Sequence, residues 1–395
     1  MDQVRVGVIG SGAFARSEHF PNCVKNPRVE LVTACSRSEE KRMGAVRDLG
    51  ARKAEADAAK VFADPEIDLI ILSVPHDVHF EMVIGALEAG KHVLCEKPMA
   101  MTMEESYEIV RAVKRAGTKL CVDYNRRFSP SMQHMKARYM AHRANPGVSD
   151  GQFVEDAKRP PLPEEDASML MVRINDESST YRPVHLDWHT GGGQIIGETC
   201  HWLDLACWLL EETPTRVYAT GSARLSHIVS LDFAPPVPGA QGHRACIMFS
   251  PVGTFEYPKE LFELMDHAAL FRNLCFVETE TYGAAGYERK TFPLQFDDCP
   301  EVGEEGGLSG YIAKLQRRAQ VHAESGKTVW PDLFPDKGHY QLLDAFVDAI
   351  INDKPSPVDE RAGAQATYLS LRAIESIRSG MPLPVNLEEY RMFVN

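Results

Sequence analysis

The chain has 395 residues, 44% hydrophobic and 25% charged, the composition expected of a globular protein with two or three domains. Its formal net charge of −13 argues against a nucleic-acid partner, and no apolar run reaches the roughly 18 residues of a membrane span. Nine cysteines without a CxxC pair fit reduced thiols, and a strand begins where a secretory leader would lie, so a cytoplasmic location is expected.

Residues 4–9 form an apolar run broken only by Arg5 and Gly7, which predicts a buried parallel strand. A glycine turn follows, then a helix over 13–26, a strand over 29–35 and a helix over 39–49. Next come a strand over 69–74, a helix over 79–89 ending at Gly90, a strand over 92–95, a helix over 104–116 ending at Gly117, and a strand over 119–122. This alternation predicts a doubly wound parallel sheet, a Rossmann dinucleotide-binding domain of residues 1–123.

The pattern changes at Tyr124, where a second α/β domain, 124–395, is expected to begin. Residues 143–166 are rich in Pro, Gly and acids, and an irregular insertion is expected over about 143–187. Strands over 168–174, 216–225, 244–249 and 274–282, with helices over 197–210 and 308–323, predict an open, mostly antiparallel sheet. Tail helices are expected over 339–352, with Leu342, Leu343, Phe346, Val347 and Ile350 on one stripe, and over 361–378.

Gly10-x-Gly12-x-x-Ala15 stands between a predicted strand and a predicted helix, the setting of a dinucleotide turn. Gly10 permits the turn, Gly12 lets a pyrophosphate approach, Ala15 keeps the helix on the sheet, and Ala13 and Phe14 open the helix toward the anion. Where an acid would hold a ribose 2′-hydroxyl, this chain has Ser36-Arg37, with Lys41 and Arg42 beyond. That leans toward NADP over NAD, although Arg37 stacked on adenine would serve NAD, and the basic residues also fit a solvated helix end.

Ser73, Pro75, His76 and His79 follow the 69–74 run, at the carboxyl edge of the sheet where ligands bind. His79 at a helix start also fits packing or capping. Glu96-Lys97-Pro98 ends the next strand on the same edge, where Lys97 is placed to stabilise a developing alkoxide. Gly191-Gly192-Gly193 precedes Glu198, His201 and Asp204, whose spacing of three places them on one helix face. His201 has the pKa range of a base, and Glu198 is placed to orient it; a polar helix face is the alternative. His185 and His189 have i, i+4 spacing, but no third ligand stands out and no metal is expected.

With these motifs the chain resembles the Gfo/Idh/MocA oxidoreductases over nearly its whole length. Val74-Pro75-His76-x-x-His79 is similar to the family's TPNxxH loop, with His76 in the usual Asn position. Glu96-Lys97-Pro98 resembles its EKP motif, and Asn125-Arg126-Arg127-Phe128 its NRRF segment beside the nicotinamide. The Gly191–Asp204 stretch resembles the run to its catalytic histidine, and Lys337-Gly338-His339 its usual C-terminal region. The resemblance implies hydride transfer at a secondary alcohol of a sugar or cyclitol, catalytic roles for Lys97 and His201, cofactor contacts from Asn125 and Arg126, and a homo-oligomer, dimer or higher. Many members carry Asp four residues before that histidine; here Gly197 stands there, and Glu198 is the nearest acid.

The leading expectation is therefore an NAD(P)-dependent dehydrogenase of a sugar, glycoside or cyclitol hydroxyl, with sugar C3 one position. Substrate contacts are expected from Lys97, Asn125, Arg173, Tyr181, Asp187, Trp188 and His201. The rivals are a redox-neutral sugar enzyme working through a transient ketone, and a dinucleotide-sensing protein without catalysis.

Overall fold

The computed structural model describes residues 3–145, 167–178, 181, 183–235, 241–303, 306–325 and 333–386. Strands β1 Val4–Ile9, β2 Val29–Cys35, β3 Lys53–Glu55, β4 Leu69–Leu72, β5 His92–Cys95 and β6 Leu120–Val122 form one parallel sheet in the order β3-β2-β1-β4-β5-β6. The order reverses between β1 and β4, so a crevice opens where the Gly10 turn and the Val74–His79 loop leave the sheet. β4 is buried at all four residues, which is why it reads as an unbroken apolar run. Helix Met103–Ala116 starts on a capping box, Thr102 with Glu105, and stops at Gly117 in the left-handed region. β3 and helix Ala58–Ala63 were not anticipated; β3 is a three-residue strand, Lys-Ala-Glu, at the sheet edge.

Two expected helices contain a wide turn at the crevice. Ala15–His19 is π-helical before Phe20–Lys25, and Ile195–Thr199 is π-helical before Cys200–Leu210. Such bulges shift side-chain directions along a helix and recur at functional sites.

The second sheet contains β7 Met169–Asn175, β8 Pro214–Gly221, β9 His227–Phe233, β10 Arg244–Ser250, β11 Glu260–Asp266, β12 Ala269–Leu274, β13 Glu278–Gly283 and β14 Glu288–Thr291. β15 Leu294–Asp297 pairs with β16 Leu333–Pro335, and β17 Leu383–Pro384 joins the large sheet, ordered β14-β13-β12-β11-β7-β10-β9-β8-β17. Its pairings are antiparallel except β7 with β10.

Several expectations are corrected here. Residues 274–282 are not one strand: the chain reverses at Cys275 and Phe276, both at positive φ, between β12 and β13. The turn contains no Gly or Pro, so the apolar run hid it. The strand expected to reach 225 stops at Gly221. Helix Pro130–Ala144 runs into the start of the expected insertion, and β7 lies within its stated range yet pairs on both sides inside the sheet. Residues 146–166 lie outside the described residues.

Helices Cys200–Leu210 and Glu360–Ser379 pack with the inner side of this sheet around Trp202, Leu170, Ile247, Phe262 and Leu369. Tail helix His339–Ile351 instead returns to the first domain, where Leu342, Leu343, Phe346 and Val347 join the core of β1 and β4. Each such buried side chain contributes about 1.5–3 kcal/mol, so the tail fastens the second domain to the first.

Candidate active site

The dinucleotide turn is shaped by close backbone approach. Gly10 has φ +102°, and a Cβ there would lie 1.9 Å from the Ser73 carbonyl oxygen, so only glycine fits. Around Gly12 the space is open, with nothing within 4 Å of a Cβ position, while Ala15 is fully buried against the sheet. This open turn entering a helix fits a dinucleotide diphosphate. After β2, the Ser36 hydroxyl accepts the Ser38 N–H, and Arg42 donates to the carbonyls of Ser36 and Arg37. Arg42 thus braces the loop and leaves Arg37 and Lys41 exposed.

Lys97, just beyond β5, reaches across the domain junction. Its Nζ donates to the Gly197 carbonyl at 2.6 Å and to Glu198 Oε1 at 2.7 Å. Burial, the largest single influence, would lower the Lys97 pKa, but the neighbouring groups together, Glu198 first among them, outweigh it and the net shift is upward. Burial likewise acts to raise Glu198, but Lys97 and Lys259 hold it well below the usual carboxylate range. Glu198 therefore serves Lys97, not His201 as expected from the spacing. Lys259, which sequence reasoning missed, lies 3.6 Å from Glu198 and 2.8 Å from Asp176.

His201 is buried, and its Nδ1 has no hydrogen-bond partner among the described residues. Its ring meets Tyr124 edge-on at 5.8 Å. Burial first, then the charges of Arg126 and Lys97, push its pKa well below 6.5, so the ring is neutral at physiological pH. A base requires that form. Asp204, the third residue of the face, is paired with Arg127.

The glycine run places backbone. A Cβ on Gly191 would strike the carbonyl oxygens of Val184 and His185, and Gly192 and Gly193 both have positive φ. The Gly191 carbonyl accepts from His76 Nδ1 at 3.0 Å. A Cβ on Gly197 would lie 3.3 Å from His76 Cε1, so the missing side chain at 197 accommodates His76. His79 is fully buried between the carbonyls of Pro98 and Val74, at 2.7 and 2.9 Å. It braces the loop and is not a free cofactor ligand.

Beneath the Gly10 turn lies a buried polar cluster. His19 Nε2 is 2.8 Å from Glu96 Oε1, Asp123 is 3.4 Å from His339 Nδ1, and Asn125 Nδ2 faces the Lys337 carbonyl and His339 Nε2. Burial and then Asp123 raise the Glu96 pKa, whereas His339 keeps Asp123 low despite its burial. Of this acid pair, Glu96 is therefore the one that takes up a proton first. Phe14 covers the cluster, edge-on to His19 and His339. His19, Glu96 and Asp123 bring ligand atoms within 4.8 Å of one another.

Other expected contacts are engaged elsewhere. Arg126 makes a two-point pair with Glu260 at 2.7 and 2.9 Å; Trp202 Nε1 and Lys337 also donate to that carboxylate. Arg126 is thus held in the junction. Asn125 is fully buried; its Nδ2 meets the Lys337 carbonyl and His339 Nε2, while its Oδ1 has no hydrogen-bond partner among the described residues. Arg173 donates to the Pro258 carbonyl and lies over Tyr257. Asp187 accepts from the backbone of His189 and Thr190, a turn leading into the glycine run. Trp188 lies under Arg378 of the second tail helix. Tyr181 stays with the site, half-buried near Asp176 and Glu198.

A dinucleotide turn facing a lysine, a neutral histidine and a held carboxylate across two domains defines an oxidoreductase-type site. The description "Oxidoreductase family, NAD-binding Rossmann fold" matches residues 4–124, and "GFO/IDH/MocA C-terminal domain" matches 168–242. The chain is 32% identical to scyllo-inositol 2-dehydrogenase (NAD(+)) of Bacillus subtilis over 98% of its own length and 97% of that protein. It is 29% identical to 1,5-anhydro-D-fructose reductase of Ensifer adhaerens over 54% of this chain, and spans only 59% of that relative's length. An oxidoreductase domain protein from Kribbella flavida has a TM-score of 0.74 at 18% identity, covering 98% of this chain and 100% of that one, a likeness of fold. The chain belongs to the Gfo/Idh/MocA family of NAD-binding oxidoreductases.

Proposed function

We propose that this oxidoreductase transfers hydride between a secondary hydroxyl of a sugar, glycoside or cyclitol and a nicotinamide dinucleotide. The observation that carries the reading is Lys97, held 2.7 Å from Glu198 at the carboxyl edge of the parallel sheet and sharing the junction with neutral His201. Gly10, Gly12, Ala13 and Phe14 would hold the diphosphate, with Ser36 and Arg37 near the adenosine ribose. The dinucleotide, when bound, supplies the hydride acceptor.

The neutral His201 ring takes the hydroxyl proton. The Lys97 ammonium stabilises the alkoxide, and Glu198 keeps that ammonium charged and aimed. The names of the two curated relatives, an inositol dehydrogenase and an anhydrofructose reductase, support a polyol or sugar substrate. The lack of an acid at Ser36-Arg37 supports NADP, whose 2′-phosphate would meet exposed Arg37.

The outer sheet face supports a homo-oligomer. Met169, Met171, Ile228, Met248 and Met265 are exposed on neighbouring strands whose alternate residues are buried, a face suited to a second copy. All nine cysteines are free thiols, eight of them buried, which supports a reducing compartment such as the cytoplasm.

A panel of cyclitols, free sugars and methyl glycosides, each with NAD and NADP, tests the reading by nicotinamide absorbance. Reduction with at least one compound is expected. Tight dinucleotide binding without reduction across the panel would favour a sensing protein instead.

A further inference from the structure

We propose that His76 is a second proton-transfer residue of this site, acting on the carbon beside a substrate carbonyl. The site would then exchange or eliminate at that carbon, which rests on the dehydrogenase reading for the source of the ketone.

The Gly191 carbonyl can only accept a hydrogen bond, so the neutral His76 ring carries its proton on Nδ1 and its lone pair on Nε2. Nε2 has no partner among the described residues, and the ring is half-buried rather than sealed. Two glycines make this possible: Gly191 because a side chain there would strike backbone, and Gly197 because its missing side chain leaves room for the ring. Lys97 Nζ lies 2.6 Å from the carbonyl of the same Gly197, so imidazole and ammonium flank one residue. Burial, the largest influence, pushes the ring's pKa down to about 3, which leaves it unprotonated at neutral pH but weakly basic, so proton removal depends on Lys97 holding the enolate charge.

Oxidation of a secondary alcohol leaves a ketone whose neighbouring C–H is acidified. Nε2 takes that proton, the C–H electrons form the enolate double bond, and the Lys97 ammonium holds the enolate oxygen. Returning the proton to the same carbon restores the substrate, and in D2O it returns a deuteron. Where the next carbon bears an alkoxy group, the enolate electrons expel it, the proton on His76 leaves with it as an alcohol, and an enone remains. None of these steps needs an oxidant or reductant beyond the ketone already formed.

His76→Asn separates a proton-transfer role from a latching one, because an amide N–H still donates to Gly191 O but no basic nitrogen remains. The probes are the monoketone of scyllo-inositol and methyl 3-keto-β-D-glucopyranoside, each given with NAD in D2O so that exchange is read without hydride transfer. Wild type is expected to place deuterium beside the carbonyl of at least one ketone roughly 10²-fold faster than buffer. The variant is expected to fall to the buffer rate of exchange, a loss at least roughly 10-fold greater than any loss in its alcohol-dependent nicotinamide reduction at saturating dinucleotide. Buffer-rate exchange by wild type with both ketones, or wild-type exchange by the variant, overturns the proposal. Exchange without any nicotinamide reduction by wild type would contradict the dehydrogenase reading and leave His76 supported. Nitrogen-15 NMR of the wild-type ring gives a readout independent of turnover: an Nδ1–H tautomer unchanged from about pH 8 to 5 is expected, and an Nε2–H tautomer overturns the proposal.

Discussion

Glu198 Oε1 lies 2.7 Å from Lys97 Nζ, joining the acid of the glycine-led helix to the lysine of the Rossmann edge. Gly197 adds its carbonyl to the same ammonium, so the position where the family resemblance anticipates a carboxylate still serves Lys97 through its backbone.

Glu198→Gln removes the charge that offsets the burial of Lys97. Turnover is expected to fall by roughly 10- to 10²-fold with little change in dinucleotide affinity, because the alkoxide loses a fully charged, oriented ammonium. Steady-state kinetics together with a dinucleotide titration separate the two effects.

Stability should fall on acidification. Burial lowers the pKa of His76 to about 3, of His227 to about 4, and of His201 well below 6.5. Below pH 6.5 the unfolded chain binds protons these folded rings refuse, so their contribution is lost as pH falls from 6.5 toward the folded values. Glu96, raised by burial and Asp123, acts oppositely: its contribution is lost as pH rises through its folded pKa. His339, raised by Asp123 despite its burial, acts with Glu96, while His79 and His92, lowered by burial, join the other three histidines. The lowered histidines outweigh the raised groups, and thermal unfolding is expected at lower temperature at pH 5 than at pH 7; a higher Tm at pH 5 would contradict this balance.

The outer sheet face gives a third expectation. Met171→Lys with Met248→Lys places two charges on exposed positions and leaves the buried alternates untouched. Sedimentation should shift toward the monomer with the circular dichroism unchanged; a variant with the wild-type mass would place the interface elsewhere.

Cofactor choice is tested at Arg37. Arg37→Glu puts repulsion where a 2′-phosphate would lie, so NADP affinity should drop by roughly 10-fold or more relative to NAD. Equal losses for both would assign Arg37 to adenine stacking.

The parallel sheet was legible because strands buried on both faces write continuous apolar runs, and Gly10 marks the turn where only glycine fits. Lys97 was legible from its place at a strand end. The charge partners were not, because Glu260 opens a strand that was not anticipated, Lys259 just precedes it, and both acquire partners only through tertiary packing. Glu198 was assigned to His201 because spacing along a helix reveals which residues share a face, but not what crosses from another domain to meet them. Asp187 and Trp188 read as substrate contacts for a similar reason: a turn acid and a ring under Arg378 leave no distinct mark in sequence.

The most direct test is single-turnover nicotinamide reduction by Lys97→Ala, alongside dinucleotide titration by fluorescence. The expected result is near-normal dinucleotide affinity with hydride transfer slowed by 10²-fold or more, on the order of a lost general acid–base or electrostatic group. Wild-type transfer in that variant would contradict the assignment of Lys97, and with it the proposed chemistry of the junction.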